Sequence, residues 1–275
     1  MRKFKKIKKF KALILLFSAL LFLVGCGTGT ATVPNIADRV LTQEKPVLRW
    51  GVKADTKLFG YYNIGKGEIE GFDVDIAKAL TDVMTDGRGE VELIEVTSKT
   101  RIPLLLNGNI DGIVATMTIS PAREEVVDFT QVYFDAGQSL LVPNDSHLNG
   151  LDDLTAEDTV IAIKGSTSAQ NIRDLAQQVT VLELENYSEG FVALQSGQGD
   201  ALTTDNAILL GMISENNNYR LAGENFTEEP YGIAISPEQT EFLALANEAL
   251  DTIQENGVYD QIYDKWFGEV LGGEE

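Results

Sequence analysis

From Val47 onward, short apolar runs alternate with stretches in which apolar residues recur every three or four positions. Residues 47–52, 91–96, 113–116, 139–142, 160–163, 179–184 and 201–203 have the length and β-branched content of strands. Phe72, Ile76, Ala79, Leu80 and Val83 fall at helical spacing behind Gly71 and predict an amphipathic helix. Further helices are predicted at 102–106, stopped by Asn107-Gly108, and at 169–176, 190–196 and 206–215. Phe242, Leu245, Ala246, Ala249, Leu250 and Ile253 predict a long helix ending at Asn256-Gly257, and Val258, Ile262 and Trp266 a last one. The alternation runs twice, before and after residue 137. It predicts an α/β architecture of two lobes with mostly parallel sheets, and the cleft between them as the place for a ligand.

The first 26 residues follow a different pattern. Arg2, Lys3, Lys5, Lys6, Lys8, Lys9 and Lys11 precede an apolar run over 12–24 that is broken only by Ser18. Such a run is short for a ~30 Å hydrocarbon core and suits the central region of a signal peptide. Leu23-Val24-Gly25-Cys26 then resembles a bacterial lipobox. The expectation is a signal peptide over 1–25, lipidation of Cys26, and a flexible spacer over 26–46. The mature protein would lie outside the cytoplasm, held to the cell membrane by acyl chains.

Composition narrows the chemistry. Without the seven leader cations, 15 basic residues face 42 acidic ones, a net charge of −27. Phosphate binding needs clustered Lys and Arg, so a nucleic-acid partner is excluded. Cys26 and His147 are the only residues of their kinds, which excludes a disulfide framework and a Cys/His zinc site. His147 follows the polar run Pro143-Asn144-Asp145-Ser146 and reads as a surface loop rather than a member of a catalytic triad. No GxxxxGK[ST] stretch is present to cradle ATP.

Gly71-Phe72-Asp73-Val74-Asp75-Ile76 resembles the signature of the polar amino-acid binding proteins that feed ABC importers. The resemblance continues through Ser98-Lys99-Thr100-Arg101-Ile102-Pro103, Ala115-Thr116-Met117-Thr118 with Ser120-Pro121-Ala122-Arg123, and Val127-Asp128-Phe129. It resumes at 164–168, Gly199-Asp200-Ala201, Thr204-Asp205-Asn206 and Tyr231-Gly232-Ile233-Ala234, and ends at Lys265-Trp266-Phe267. Thr81 departs from the small residue usual after the first signature, a change expected to touch helix packing only.

The resemblance implies the two-lobed type 2 periplasmic-binding-protein fold with a two-segment hinge. The first lobe would comprise 47–133 plus 232–268 and the second 138–226, with crossings at 133–137 and 227–231. It implies a monomer without cofactor or catalysis that hands an L-amino acid to a permease driven by an ATPase. A dehydratase on the same fold is the alternative of another class, since fold does not fix function.

An amino acid carries an α-carboxylate and an α-ammonium. Arg123, behind the helix start Ser120-Pro121, has the planar fork suited to the first. Asp205 is the candidate for the second, although it also occupies an N-cap position. Thr116 and Thr118 on a strand end would complete the shell, and Thr167 and Ser168 would offer a helix N-terminus from the second lobe. The resemblance implies that Tyr187 matches a position facing the side-chain pocket in acidic-ligand relatives. Lys53 and Arg101, with Ser98 nearby, match positions at which acidic-ligand relatives place cations, which favours glutamate or aspartate as ligand with glutamine as the alternative. Asp73 and Asp75 read as helix N-terminal acids, and Trp50 and Trp266 as packing residues.

Overall fold

The computed structural model describes residues 35–214 and 216–270, so Cys26 and the leader lie outside the described residues. In chain order the first lobe contains helix α1 (Ile36–Thr42), strand β1 (Val47–Val52), and a small antiparallel sheet of β2 (Asp55–Thr56), β3 (Gly60–Asn63) and β4 (Glu68–Glu70). Helix α2 (Phe72–Met84), β5 (Glu90–Glu95), α3 (Arg101–Leu106), β6 (Gly112–Ile113), α4 (Pro121–Glu124) and β7 (Asp128–Phe129) follow. Strand β8 (Phe134–Ala136) leads to the second lobe: β9 (Gln138–Pro143), β10 (Thr159–Ile163), α5 (Thr167–Leu175), β11 (Thr180–Leu184), α6 (Tyr187–Gln195), β12 (Ala201–Asp205), α7 (Asn206–Ile213) and β13 (Tyr219–Ala222). Strand β14 (Glu229–Tyr231) returns to the first lobe, which β15 (Ala234–Ile235), α8 (Thr240–Glu255) and α9 (Val258–Phe267) complete.

Each lobe is built on one five-stranded sheet, in the orders β5-β1-β6-β15-β7 and β11-β10-β12-β9-β13. The sheets are mixed rather than mostly parallel. The β5-β1-β6 and β11-β10-β12 portions are parallel, because helical crossovers connect them. Strands β15 and β9, which adjoin the crossings, enter their sheets antiparallel to their neighbours. Strands β8 and β14 themselves pair antiparallel, Tyr231 opposite Phe134 and Glu229 opposite Ala136.

Aromatic packing surrounds that ladder. The Phe59 ring lies 5.1 Å from Phe134 and 5.8 Å from Tyr231, and Phe72 lies 5.2 Å from Phe267. The apolar stripe of α2 is buried: Phe72, Ile76, Ala77 and Leu80 have no exposed surface. Trp50 is fully buried as a packing residue, and its indole N–H donates to Thr81 Oγ1 at 2.8 Å. Thr81 in turn donates to the Ala77 carbonyl, so this departure supplies a buried acceptor as well as bulk. Trp266 is only half-buried and donates to Asp75 at 2.8 Å. His147 is exposed, as a surface loop requires.

The expectation of a spacer up to residue 46 needs correction. Asn35 caps α1 by accepting from the Asp38 N–H, and Ile36, Ala37 and Val40 are buried. The helix packs on α8, the Ile36 N–H donates to Gln239 Oε1 at 2.8 Å, and Arg39 pairs with the buried Asp111 at 2.6 Å. Seven helical residues would be marginal alone, so this contact is what stabilises α1. Replacing Val40 with Asp should therefore lower unfolding free energy by about 2–4 kcal/mol through burial of an unpaired charge, read by urea denaturation. An unchanged midpoint would show that α1 is not part of the folded unit.

Candidate functional site

Between the lobes lies a narrow, tightly closed cavity lined by Arg101, Thr116, Thr118, Arg123, Ser166, Thr167, Tyr187, Thr204 and Asp205. Larger clefts exist, such as one of about 460 Å³ lined by Lys57, Tyr61, Ile64 and Trp266, but it is an open surface groove without buried charges. The small cavity is the candidate because buried groups of both signs converge on it.

Helix α4 opens with Pro121, whose fixed φ and missing N–H suit a first helical position. Arg123 follows two residues on and turns inward. One guanidinium nitrogen donates to the Thr118 carbonyl at 2.7 Å, and the other reaches the Gly165 carbonyl of the second lobe at 3.3 Å. Burial, opposed first by Asp205 and then by Glu229, lowers its pKa from the usual arginine value. Asp205 ends β12 and occupies the N-cap of α7, yet its side chain makes no cap bond. Its carboxylate accepts instead from the Tyr231 hydroxyl at 2.5 Å. Burial, with the charge of Glu229 next, pushes Asp205 up to about 7.

Thr116 has φ 46°, a left-handed conformation costly for a β-branched residue. Two buried side chains hold it there. Asp73 Oδ2 accepts the Thr116 N–H at 2.9 Å, and Arg101 donates to the carbonyls of Ala115 at 2.6 Å and Thr116 at 3.2 Å. The Thr116 hydroxyl is buried without a partner. Asp73 is thus more than a helix-dipole acid: it also accepts from the Tyr133 hydroxyl at 2.8 Å, and burial raises it to about 7. Asp75, by contrast, sits nearer the surface and pairs with Lys265 at 2.6 Å.

Lys53 and Arg101 do not form the open pair of cations expected at the far end of a ligand. Arg101 directs one end of its fork at backbone carbonyls. Lys53 donates to Ser98 Oγ at 2.7 Å, lies 4.9 Å from the centre of the Tyr187 ring, and does not line the cavity. Burial, then Arg101, lowers Lys53 to about 7. Ser98 is buried beneath Lys53 rather than at the cavity wall.

In the second lobe Ser166, not Thr167, caps α5, accepting from the Ala169 N–H, and shares a 2.7 Å bond with Ser168. Ser168 is buried behind the cavity wall, whereas Thr167 lines it. Tyr187 opens α6 and its hydroxyl accepts from Thr204 at 3.2 Å. Its backbone N–H donates across the cleft to Asp55 at 2.6 Å. Gly165, at φ 78°, brings its backbone so near the first lobe that an added Cβ would sit 2.8 Å from Lys99 Cα. The lobes are in contact over the cavity.

Sequence reasoning singled out seven of these lining residues and missed Ser166 and Thr204, polar neighbours of residues it named. It also missed the buried Glu229, whose carboxylate accepts from Thr167 Oγ1 at 2.8 Å and Asn171 at 3.0 Å. The available signal was Glu229-Pro230-Tyr231, where alternate residues of a strand face the same way.

Residues 48–269 match the family described as bacterial extracellular solute-binding proteins, family 3. The chain is similar to the ABC transporter glutamine-binding protein GlnH of Bacillus subtilis (strain 168), at 50% identity over 263 residues covering 94% of this chain and 96% of that protein. It is 53% identical to a glutamine-binding protein of Geobacillus stearothermophilus over 211 residues, 77% of this chain and 80% of that one. Among solved structures, an ancestral arginine-binding protein bound to glutamine superimposes with a TM-score of 0.76 at 38% identity, covering 81% of this chain and 98% of that one. The matched span runs through both five-stranded sheets and both strands that join them, and the chain belongs to the bacterial extracellular solute-binding proteins, family 3.

Proposed function

We propose that the protein is the extracytoplasmic substrate-binding subunit of an ABC importer and that its ligand is L-glutamine. The observation that carries this is the cavity in which Arg123 of one lobe and Asp205 of the other meet. Arg123 takes the α-carboxylate through two parallel charge-assisted hydrogen bonds, and Asp205 takes the α-ammonium. The unpartnered Thr116 hydroxyl and Thr118 add to this grip, and Thr167 closes it from the second lobe. Residues 133–137 and 227–231 act as the hinge about which the lobes close.

Glutamine replaces glutamate or aspartate as the preferred ligand for a physical reason and a comparative one. Lys53 is held against Ser98 and the Tyr187 ring off the cavity wall, and Arg101 is engaged by the Ala115 and Thr116 carbonyls. Neither presents an open cation to a second carboxylate, which a ligand with an uncharged side chain does not need. The relatives of about half identity carry glutamine-binding names, while a glutamate-binding protein, GluB of Corynebacterium efficiens, is 34% identical.

Titration calorimetry with L-glutamine, L-glutamate, L-aspartate and L-arginine tests the reading. Glutamine should bind at least tenfold more tightly than glutamate, roughly 1.4 kcal/mol. Glutamate binding more tightly than glutamine would return the ligand to the acidic class. Turnover of a prephenate-type compound would instead favour the dehydratase alternative.

The membrane anchor is proposed on sequence grounds, from the lipobox at Cys26. Cys26→Ala should release the protein to the medium or leave an unprocessed precursor. Unchanged membrane fractionation, with no lipid mass on the N-terminal peptide, would overturn it.

A further inference from the structure

Helix α2 starts against the turn between β2 and β3. Gly71 has φ 149°, and an added Cβ there would lie 2.1 Å from the Phe59 carbonyl oxygen. In that close fit the Phe72 N–H donates to the Leu58 carbonyl at 2.7 Å and the Asp73 N–H to the Phe59 carbonyl at 3.0 Å. Backbone carbonyls thus satisfy N–H groups of the first turn, a task that often falls to a polar side chain. The Asp73 carboxylate is not needed at the helix end and lies inward, with no exposed surface. It does not line the cavity.

Its two oxygens join the cavity wall to a crossing between the lobes. One accepts the Thr116 N–H at 2.9 Å, and the other accepts from the Tyr133 hydroxyl at 2.8 Å. Tyr133 stands at the start of the first crossing, and its own N–H donates to the Tyr231 carbonyl on the second at 2.9 Å. Tyr231 bridges to Thr118, the Gly232 N–H donates to the Met117 carbonyl at 3.0 Å, and the Ile119 N–H donates to the Pro230 carbonyl at 2.8 Å. Residues 117–119 are thus laid along the returning strand by backbone pairing. At Thr116, where φ is 46°, the acceptor is a side chain instead, that of Asp73.

We propose that Asp73 is a positioning residue: it does not touch the ligand, and it sets affinity by holding Thr116 in the left-handed conformation in which Thr116 meets the ligand. The proposal rests on the reading of the cavity as the amino-acid site. Strain of this kind disfavours a non-glycine residue by a factor of about five to a hundred in population. Without a fixed acceptor Thr116 relaxes, and the wall has to be re-formed when ligand binds. Arg101 also holds Thr116, through its carbonyl, but Arg101 lines the cavity, so its loss would mix positioning with contact. Asp73 separates the two.

The test is a double-mutant cycle between Asp73→Ala and Thr116→Gly, with Kd for L-glutamine measured by calorimetry at about pH 8. Glycine adopts a positive φ readily and needs no holding. Asp73→Ala should weaken binding by roughly tenfold or more when Thr116 is present, and by less than about threefold in the Thr116→Gly background. Asp73→Asn should bind within about threefold of the unaltered protein, because its oxygen accepts the Thr116 N–H and its amide donates to the Tyr133 oxygen. Equal losses from Asp73→Ala in the two backgrounds would overturn the proposal and leave Asp73 a structural residue, as would Asp73→Asn binding as weakly as Asp73→Ala. If Asp73→Ala fails to fold, Tyr133→Phe, which removes one donor to the carboxylate, takes its place in the cycle. A loss of about threefold that vanishes with Thr116→Gly supports the proposal, and no loss or an equal loss overturns it. Melting temperatures of the same proteins without ligand read the hold on Thr116 by itself, and the drop caused by Asp73→Ala should be smaller in the Thr116→Gly background. Equal drops there would count against the positioning role. Coupling in melting temperature, in a protein that binds no amino acid, would overturn the ligand reading while sustaining the hold of Asp73 on Thr116.

Discussion

Replacing Arg123 with Ala should weaken glutamine binding by about a hundredfold or more while leaving the protein folded. Truncating one partner of a buried charge pair costs about 2–5 kcal/mol, because the remaining charge is left without compensation. Here the remaining charge would be the ligand α-carboxylate. Arg123 is well prepared for that role. It is almost wholly buried, and its contact with the Thr118 carbonyl fixes one end of the fork so that the group faces the cavity. Its contact with the Gly165 carbonyl also joins the lobes, so the loss affects closure as well as affinity. Arg123→Lys should recover little, because an ammonium cannot hold Thr118 and meet a carboxylate side-on together. Calorimetry gives Kd, and small-angle scattering with saturating glutamine gives the contraction on closure. Affinity within threefold of the unaltered protein would exclude Arg123 as the carboxylate anchor.

The difference between Arg123 and Arg101 marks where the sequence stops being legible. Both are arginines near helix starts and both become buried. The sequence order of Ser120-Pro121 and Arg123 carries the local geometry of the first. Nothing local says that the end of β6 will lie beneath α3, so the capture of Arg101 by the Ala115 and Thr116 carbonyls depends on tertiary packing. Glu229 and Asp73 escaped for the same reason: each owes its role to partners far along the chain.

Among the elements, α2 and β1 could be read because a buried face repeats several times along them. Two-residue strands such as β6, β7 and β15 carry no period at all. Helix α1 has only Ile36, Ala37 and Val40 on its buried face, amid a composition that otherwise reads as linker. The direction of β9 and β15 was equally hidden, because it follows from the two crossings between lobes rather than from alternation of helix and strand.

Asp205→Asn should weaken glutamine binding by a similar factor, and it should also remove most of the pH dependence of binding between about pH 5 and pH 8. In the folded, ligand-free protein Asp205 is raised to about 7 from its ordinary 3.8. A carboxyl raised in this way is favoured in its neutral form. Its contribution to stability is therefore present below the ordinary value and is lost as pH rises toward 7. An α-ammonium beside it reverses the preference, because the cation compensates the buried carboxylate. Binding then requires deprotonation below about pH 7, and affinity should climb by up to tenfold per pH unit until it levels off above that point. Lys53 and Asp73 also titrate near 7, so the diagnostic quantity is the difference between the unaltered protein and Asp205→Asn at each pH. An uncharged amide retains the Tyr231 hydroxyl as donor but cannot neutralise the ammonium. It also removes the desolvation cost, so the ligand-free variant should melt higher than the unaltered protein at about pH 8 while gaining less from added glutamine. Melting curves with and without ligand across the pH range read both effects. A variant that keeps the parental pH profile and affinity would show that the α-ammonium lies elsewhere.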